Sequence, residues 1–446
     1  MGRRLRRRAG AALGAIGAVA ASVVATPAAA QTAGDDAAQL PYATPRETLV
    51  PGTPGMPGGF HFMLNGFGQL QNTGLPAYRI ANANVKSFSG GATYPLLTDD
   101  WAMGYARDAH GWVEALLMLD FEPATVGGAG YPEIGQSGEG LWDAQHAHQF
   151  LHQAVVAFHP LAGTDGWHPT SMVQEGRYDL SLFGGQGSAT IGPPIFMHRA
   201  SSPGPTVPRK HHKGENPHET FPVLGAALRI DSTWLEWSVF SAKELTPQDS
   251  RWYPHVAPPQ SFAARVRHTF GGWIEVQTSG ERLVNQGHGE PDAYQGSASA
   301  YAWGAVDGWR LDGLLDWAID VPDRDAQGNQ LTSQGALFEL ATRNPDRRTI
   351  LWHRSELDQR EESPAFGGGV SSPWVFETLG FERVVVGGRT SGLQVGVFGE
   401  ATYIDIPASV RAFYGTESAV TVNVGLHLFG MWMFDGDLRP MHHGAM

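Results

Sequence analysis

The chain has no cysteine in its 446 residues. A disulfide scaffold, a thiol nucleophile and a cysteine-ligated metal centre are therefore excluded. Long apolar runs are also missing: after residue 30 no stretch approaches the roughly 18 uninterrupted apolar residues of a membrane-crossing helix. Basic residues are in deficit, 31 Lys and Arg against 44 Asp and Glu, for a formal net charge of −13. That balance argues against nucleic acid as a partner. No HExxH, P-loop, dinucleotide fingerprint or GxSxG elbow is present. FGGQG at 183–187 and FGGGV at 366–370 lack a strand-to-helix context and read as turns. The 57 glycines follow no three-residue period, which excludes a collagen-like fibre, and 14 Trp, 11 Tyr and 21 Phe exclude a disordered polymer.

What is present begins with an export signal. MGRRLRRR is followed by an apolar segment from Ala9 to about Ala25 and by the small residues Ala28 and Ala30. Residues 1–30 are read as a signal peptide cleaved near Ala30. Cleavage removes five arginines and no carboxylate, leaving 26 basic against 44 acidic side chains and a net charge near −18. An export signal with no later apolar helix leaves the periplasm, the medium or an outer-membrane barrel as destinations. Residues 31–59, rich in Pro, Gly and Ala and ending in PGTPGMPGG, read as a flexible mature N-terminus.

From Phe60 onward, segments of 8–13 residues alternate in character. In GWRLDGLLDWAID (308–320), Trp309, Leu311, Leu315, Trp317 and Ile319 share one parity, while Arg310, Asp312, Asp316 and Asp320 share the other. A strand puts those carboxylates on one side, whereas a helix scatters them. Segment 392–404 sets Leu393, Val395 and Val397 against Gln394 and Glu400, and 419–429 sets Val420, Val422, Val424 and Leu426 against Thr421, Asn423 and His427. In 60–71, Phe60, Phe62, Leu64 and Leu70 oppose His61, Asn65, Gln69 and Gln71. Tight turns are expected around Ser232, Gly271–Gly272, Asp307–Gly308 and Gly388–Gly392, and long polar loops at 185–220, 242–259, 282–294, 321–332 and 354–373.

Short turns at one end and long loops at the other are the pattern of an antiparallel up-and-down transmembrane β-barrel. The expected fold is all-β, with about 14–16 strands over residues 60–430, then a polar Met/His-containing tail at 431–446. Trp309, Trp317, Trp234 and Tyr403 are expected at the membrane interfaces. A soluble sandwich or propeller is the alternative, but its strands usually run to about five or six residues.

Three segments concentrate histidine. LWDAQHAHQFLHQAVVAFH (141–159) carries Asp143, His146, His148, His152 and His159, and an extended chain puts His146, His148 and His152 on one face. GPPIFMHRASSPGPTVPRKHHKGENPHET (192–220) carries Met197, His198, Arg199, Arg209, His211, His212, Lys213 and His218. Pro193 and Pro194 make it a loop, which would either constrict a lumen or meet lipid phosphates. The tail RPMHHGAM adds Met441, His442, His443 and Met446, soft donors suited to copper. His146, His148, His152, His198, His211, His212, His442 and His443 are therefore the candidate ligands, with copper or zinc as the candidate metal and no cofactor established.

HFMLNGFGQLQ (61–71), DAQHAHQFLHQ (143–153), IGPPIFMHRASSPGP (191–205), HH (211–212) and MHHGAM (441–446) resemble a family of uncharacterised proteobacterial outer-membrane β-barrel proteins. A weaker resemblance is to copper-resistance outer-membrane barrels, whose Met/His-rich leader is longer than segment 31–59. The first resemblance covers nearly all of the mature chain. It implies Gram-negative outer-membrane residence, with membrane lipid and the barrel-assembly machinery as partners, and it carries no catalytic assignment.

The function expected from the sequence is a passive pore for small solutes, not an enzyme. Arg310, Asp312, Asp316, Asp320, Gln394 and Glu400 are its candidate lining, and an acidic wall would favour cations. Metal binding or assisted metal export is the alternative. A hydrolase is a third reading and requires a nucleophile and base converging to about 3 Å.

Overall fold

The computed structural model describes residues 59–72, 79–82, 85–89, 93–107, 112–121, 150–161, 178–187, 220–243, 256–271, 273–284, 292–324, 328, 330, 332–346, 348–359, 373–387, 392–409, 411 and 415–434. The strands are β1 (Gly59–Asn72), β2 (Arg79–Asn82), β3 (Val85–Ser89), β4 (Thr93–Arg107), β5 (Val113–Asp120) and β6 (Leu151–Phe158). Next come β7 (Tyr178–Gly187), β8 (Thr220–Ile230), β9 (Thr233–Phe240), β10 (Ser261–Phe270), β11 (Ile274–Leu283) and β12 (Ala293–Val306). The last are β13 (Trp309–Pro322), β14 (Ser333–Arg343), β15 (Thr349–Asp358), β16 (Trp374–Val386), β17 (Gly392–Asp405) and β18 (Ser418–Phe434).

β2 and β3 form a separate two-stranded sheet, and the other sixteen strands close into one barrel. Every ladder is antiparallel between chain neighbours, with β1 paired to both β4 and β18. Closure leaves no sheet edge, the condition for backbone amides to cross lipid without unpaired groups. The expected strand number is met at its upper end. FGGQG at 183–187, expected as a turn, is the end of strand β7, so the loop expected from 185 starts only after Gly187, and the β2–β3 hairpin was not expected.

The tight turns share one end of the barrel. Asp231–Ser232 joins β8 to β9, and Asp307–Gly308 joins β12 to β13 with φ of 50° and 76°. Two successive left-handed residues match the twist of a two-residue hairpin. Both barrel termini, Gly59 of β1 and Phe434 of β18, lie at this turn end. The longer connections after β5, β7, β9, β11, β13, β15 and β17 lie at the other, the loop end.

The distribution of burial is inverted relative to a water-soluble sheet. On β13, Trp309, Leu315 and Trp317 are exposed while Asp312, Leu314, Asp316 and Ala318 are buried. The same holds around the ring. Leu224, Trp237, Val239, Phe262, Leu351, Leu379, Val422 and Leu426 are exposed, whereas Glu236, Arg265, Glu339, Arg354, Glu382 and Glu400 are buried. An apolar outside and a charged inside suit a bilayer as the outer solvent. Leu315, at 44% exposed, would be misplaced in a dry core between two sheets. No helix among the described residues is long and apolar enough to cross a membrane.

Trp309, Phe270 and Trp273 stand exposed at the turn end, and Tyr294 and Tyr403 near the loop end. Such rings anchor the apolar band at its two rims. Trp234 departs from the expectation. It shares parity with Glu236, points inward and is buried. A terminal tryptophan anchors the rim only when its parity faces outward, as that of Trp309 does.

Candidate functional site

The inner wall is the part of the molecule that concentrates ionisable groups. Its density follows from strand parity: alternate residues of every strand project inward, so each Asp, Glu, Arg or His at those positions adds to one enclosed surface. Arg310, Asp312, Asp316, Asp320, Gln394 and Glu400 all have inward parity, with Asp312, Asp316 and Glu400 buried. Apolar patches interrupt the wall. Tyr301, Leu314, Leu337, Ala341, Ile350 and Trp352 cluster across β12–β15, and Met103, Tyr105, Leu116, Met118 and Val155 across β4–β6.

A run of buried charges lies on β9–β11. The Arg265 Nε donates to Glu236 Oε2 at 2.5 Å, and Arg267 Nε stands 3.4 Å from Glu236 Oε1. Arg267 also donates from Nη1 to Glu275 Oε2 at 3.2 Å. Its guanidinium lies 4.5 Å from the centre of the Trp234 ring, and that of Arg229 lies 5.3 Å from it. Trp234 thus offers its π electrons to two cations. The side chain of Glu236 has 0% exposure.

Elsewhere the wall is tied laterally. Gln277 donates from Nε2 to Ser297 Oγ at 3.1 Å, and Ser297 donates to Asp316 Oδ1 at 3.0 Å, linking β11, β12 and β13. Tyr301 Oη donates to Asp312 Oδ1 at 2.6 Å, and Arg310 donates to both oxygens of Asp312. Arg354 Nε donates to Glu339 Oε2 at 3.3 Å. Two bonds skip a strand. Trp352 Nε1 on β15 donates to Glu400 Oε2 on β17 at 3.1 Å, passing over Gly380 of β16. His427 Nδ1 on β18 meets Glu382 Oε1 on β16 at 3.0 Å across β17.

Three of the wall histidines face carboxylates. Besides His427, the His152 Nδ1 stands 3.6 Å from Asp120 Oδ2. His159, one residue past β6, stands 3.4 Å from Glu114 Oε2 through Nε2 and 3.1 Å from Asp179 Oδ2 through Nδ1. Burial works against a charge on His159, but hydrogen bonds and attraction from Asp179 and Glu114 outweigh it and raise its pKa to about 9. A folded pKa above the unfolded value of about 6.5 stabilises the fold fully below pH 6.5. That contribution is lost as pH climbs through about 9. Denaturant unfolding in vesicles should therefore show stability falling by on the order of 3 kcal/mol between pH 6.5 and 9.5. In His159→Gln the fall should be flatter, and an unchanged slope would remove His159 as its source.

Of the eight candidate metal ligands, His152 alone lies among the described residues, and its partner is Asp120. His146, His148, His198, His211, His212, His442 and His443 lie outside them, as do the basic groups of 192–220. Among the described residues no group of three His, Asp or Glu is placed to hold a metal ion.

One cluster was not anticipated. On the outward face, Ser355 Oγ donates to Glu377 Oε2 at 2.6 Å, and His353 Nε2 stands 3.0 Å from the same oxygen and 3.4 Å from Ser355 Oγ. The H-x-S spacing on one strand was the available signal, but the register that brings Glu377 beside it was not. The imidazole meets hydroxyl and carboxylate through one nitrogen, whereas a relay needs them on opposite nitrogens. The arrangement is a local polar pairing on a face that is mostly apolar.

No protein-family model and no curated protein matches the chain. Solved structures do resemble it in fold. The high-pH structure of Pseudomonas putida OprB aligns with a TM-score of 0.49 at 9% identity, over 84% of this chain and 94% of that one. The outer membrane channel DcaP of Acinetobacter baumannii gives 0.44 at 10% identity, over 84% and 98%. An anion-selective porin from Comamonas acidovorans gives 0.42 at 10% identity, over 83% and 98%.

Proposed function

We propose that the chain is a passive solute pore of the Gram-negative outer membrane. The observation that carries this reading is the inversion of polarity across a closed ring: apolar side chains outside and a wall of ionisable side chains inside. A bilayer is the solvent that accommodates the outside, and the charged inside is the surface past which a polar solute travels. Catalysis is not needed for that task. The lateral bonds among Asp312, Asp316, Glu339 and Arg354 hold the wall charges at fixed positions, so any filtering is by a standing field rather than by chemistry.

Most inward side chains of the described strands are nearly devoid of solvent exposure. A wide cylinder of bulk water would leave them wet, so the path is narrow. Purified, folded protein in planar bilayers should produce discrete conductance steps. The steps should be smaller than those of a sixteen-stranded barrel with a solvent-exposed wall. Folded protein that inserts and passes no current would overturn the pore.

A further inference from the structure

Charge on the inner wall is sorted along the barrel axis. Four inward arginines lie within four residues of the turn end of their strands, Arg229 on β8, Arg267 on β10, Arg310 on β13 and Arg343 on β14, and they are balanced there by the inward carboxylates Glu114, Asp179, Glu275 and Asp312. Within three residues of the loop end stand Asp120 on β5, Glu281 on β11, Asp320 on β13, and Glu356 and Asp358 on β15. Among the described residues no inward Lys or Arg shares that end; Arg282 of β11 has outward parity and pairs with Asp323.

The loop end also has a continuous row of oxygen donors. Register places Glu281 opposite Gln295, Gln295 opposite Asp320, and Asp320 opposite Ser333, so four neighbouring strands present inward oxygens side by side. Directly paired residues have Cβ atoms about 4.5–5.5 Å apart. The Ser333 hydroxyl is buried, with 1% residue exposure, and has no hydrogen-bond partner among the described residues. A buried hydroxyl of inward parity is open to a water or to an ion that enters the barrel. Oxygen-only donors carrying negative charge suit hard cations, not anions or soft metals.

We infer that the loop-end half of the wall recruits inorganic or ammonium-type cations, and that the sorting of charge makes the pore rectify. This rests on the pore reading above. Carboxylates with no inward arginine beside them raise the local cation concentration at one mouth, whereas charges of both signs balance near the other. Equal and opposite voltages then drive unequal currents.

The test uses the full protein inserted from one chamber of a planar bilayer. In about 0.1 M KCl the reversal potential under a salt gradient should show cation preference and the current–voltage curve should be asymmetric. Both should fade at about 1 M KCl, where the Debye length is near 3 Å. The combined variant Glu281→Gln, Asp320→Asn and Asp358→Asn removes three loop-end charges, and discrete conductance steps at high salt report that it has folded and inserted. At low salt it should lose about half or more of the cation-to-anion permeability ratio. Millimolar Mg2+ should depress the potassium current of the parent from one chamber and not from the other, a readout that does not depend on the variant folding. Equal block from both chambers overturns the inference, as does an unchanged permeability ratio in the conducting variant. Absence of any current in folded parent protein overturns the pore reading itself.

Discussion

Glu236→Ala is expected to destabilise the barrel by about 3–5 kcal/mol, the cost of stranding a buried cation. The carboxylate is fully buried between Arg265 and Arg267, and no solvent reaches it to screen what its removal exposes. Arg267 would keep Glu275 and the Trp234 ring, so Arg265 bears most of the loss. Guanidinium unfolding of vesicle-inserted protein, followed by tryptophan emission, should show the midpoint displaced to lower denaturant. The paired change Glu236→Leu with Arg265→Met removes both members of the closest ion pair. It should recover much of the loss, since a packed apolar pair is often no worse than a buried ionic one. A single variant indistinguishable from the parent would show that Glu236 is protonated or hydrated.

Gly380→Ala is expected to cost about 1–3 kcal/mol, although it adds one methyl group. A Cβ at that position would lie 2.1 Å from the Trp352 ring, which crosses β16 at this point to reach Glu400. Trp352 would have to leave its rotamer, break its bond to Glu400 and separate from Leu337, Ala341 and Ile350. Gly304→Ala on β12, where nothing lies within 4 Å of the added atom, is the matched control and should stay within about 0.5 kcal/mol of the parent. The same unfolding assay separates the two. Equal midpoints for both variants would mean that the wall gives way around Trp352 at no cost.

Much of the barrel was legible because its two faces have opposite chemistry. Segment 308–320 states its parity through four inward charged residues facing a row of Trp, Leu and Ile, and the structure places β13 with those faces. The Asp307–Gly308 turn was legible because its two residues tolerate positive φ. The wall's connections were not legible. Whether Trp352 meets Glu400, or Glu377 meets Ser355, depends on the register between strands, and side-chain pattern within one strand carries no register. Trp234 was misread because aromatic residues near strand ends serve both rims and lumens; only its parity with Glu236 separates the two. The histidine segments were the densest polar signal in the sequence, yet among them the described residues give only His152 and His159 a place, each against carboxylates.

The ladder between β1 and β18 has a kinetic consequence. Apart from the β1–β4 pairing, every other contact between barrel neighbours is made by consecutive strands, and these can zip together one hairpin at a time as the chain folds. Phe60 opposite Phe434 is the exception, uniting the two extremes of the barrel. Loop-closure entropy grows only logarithmically with separation, so this last union is cheap in free energy but must wait for all the others. Until it forms, two raw strand borders remain open to neighbouring chains, and self-association during folding should be concentrated in that interval.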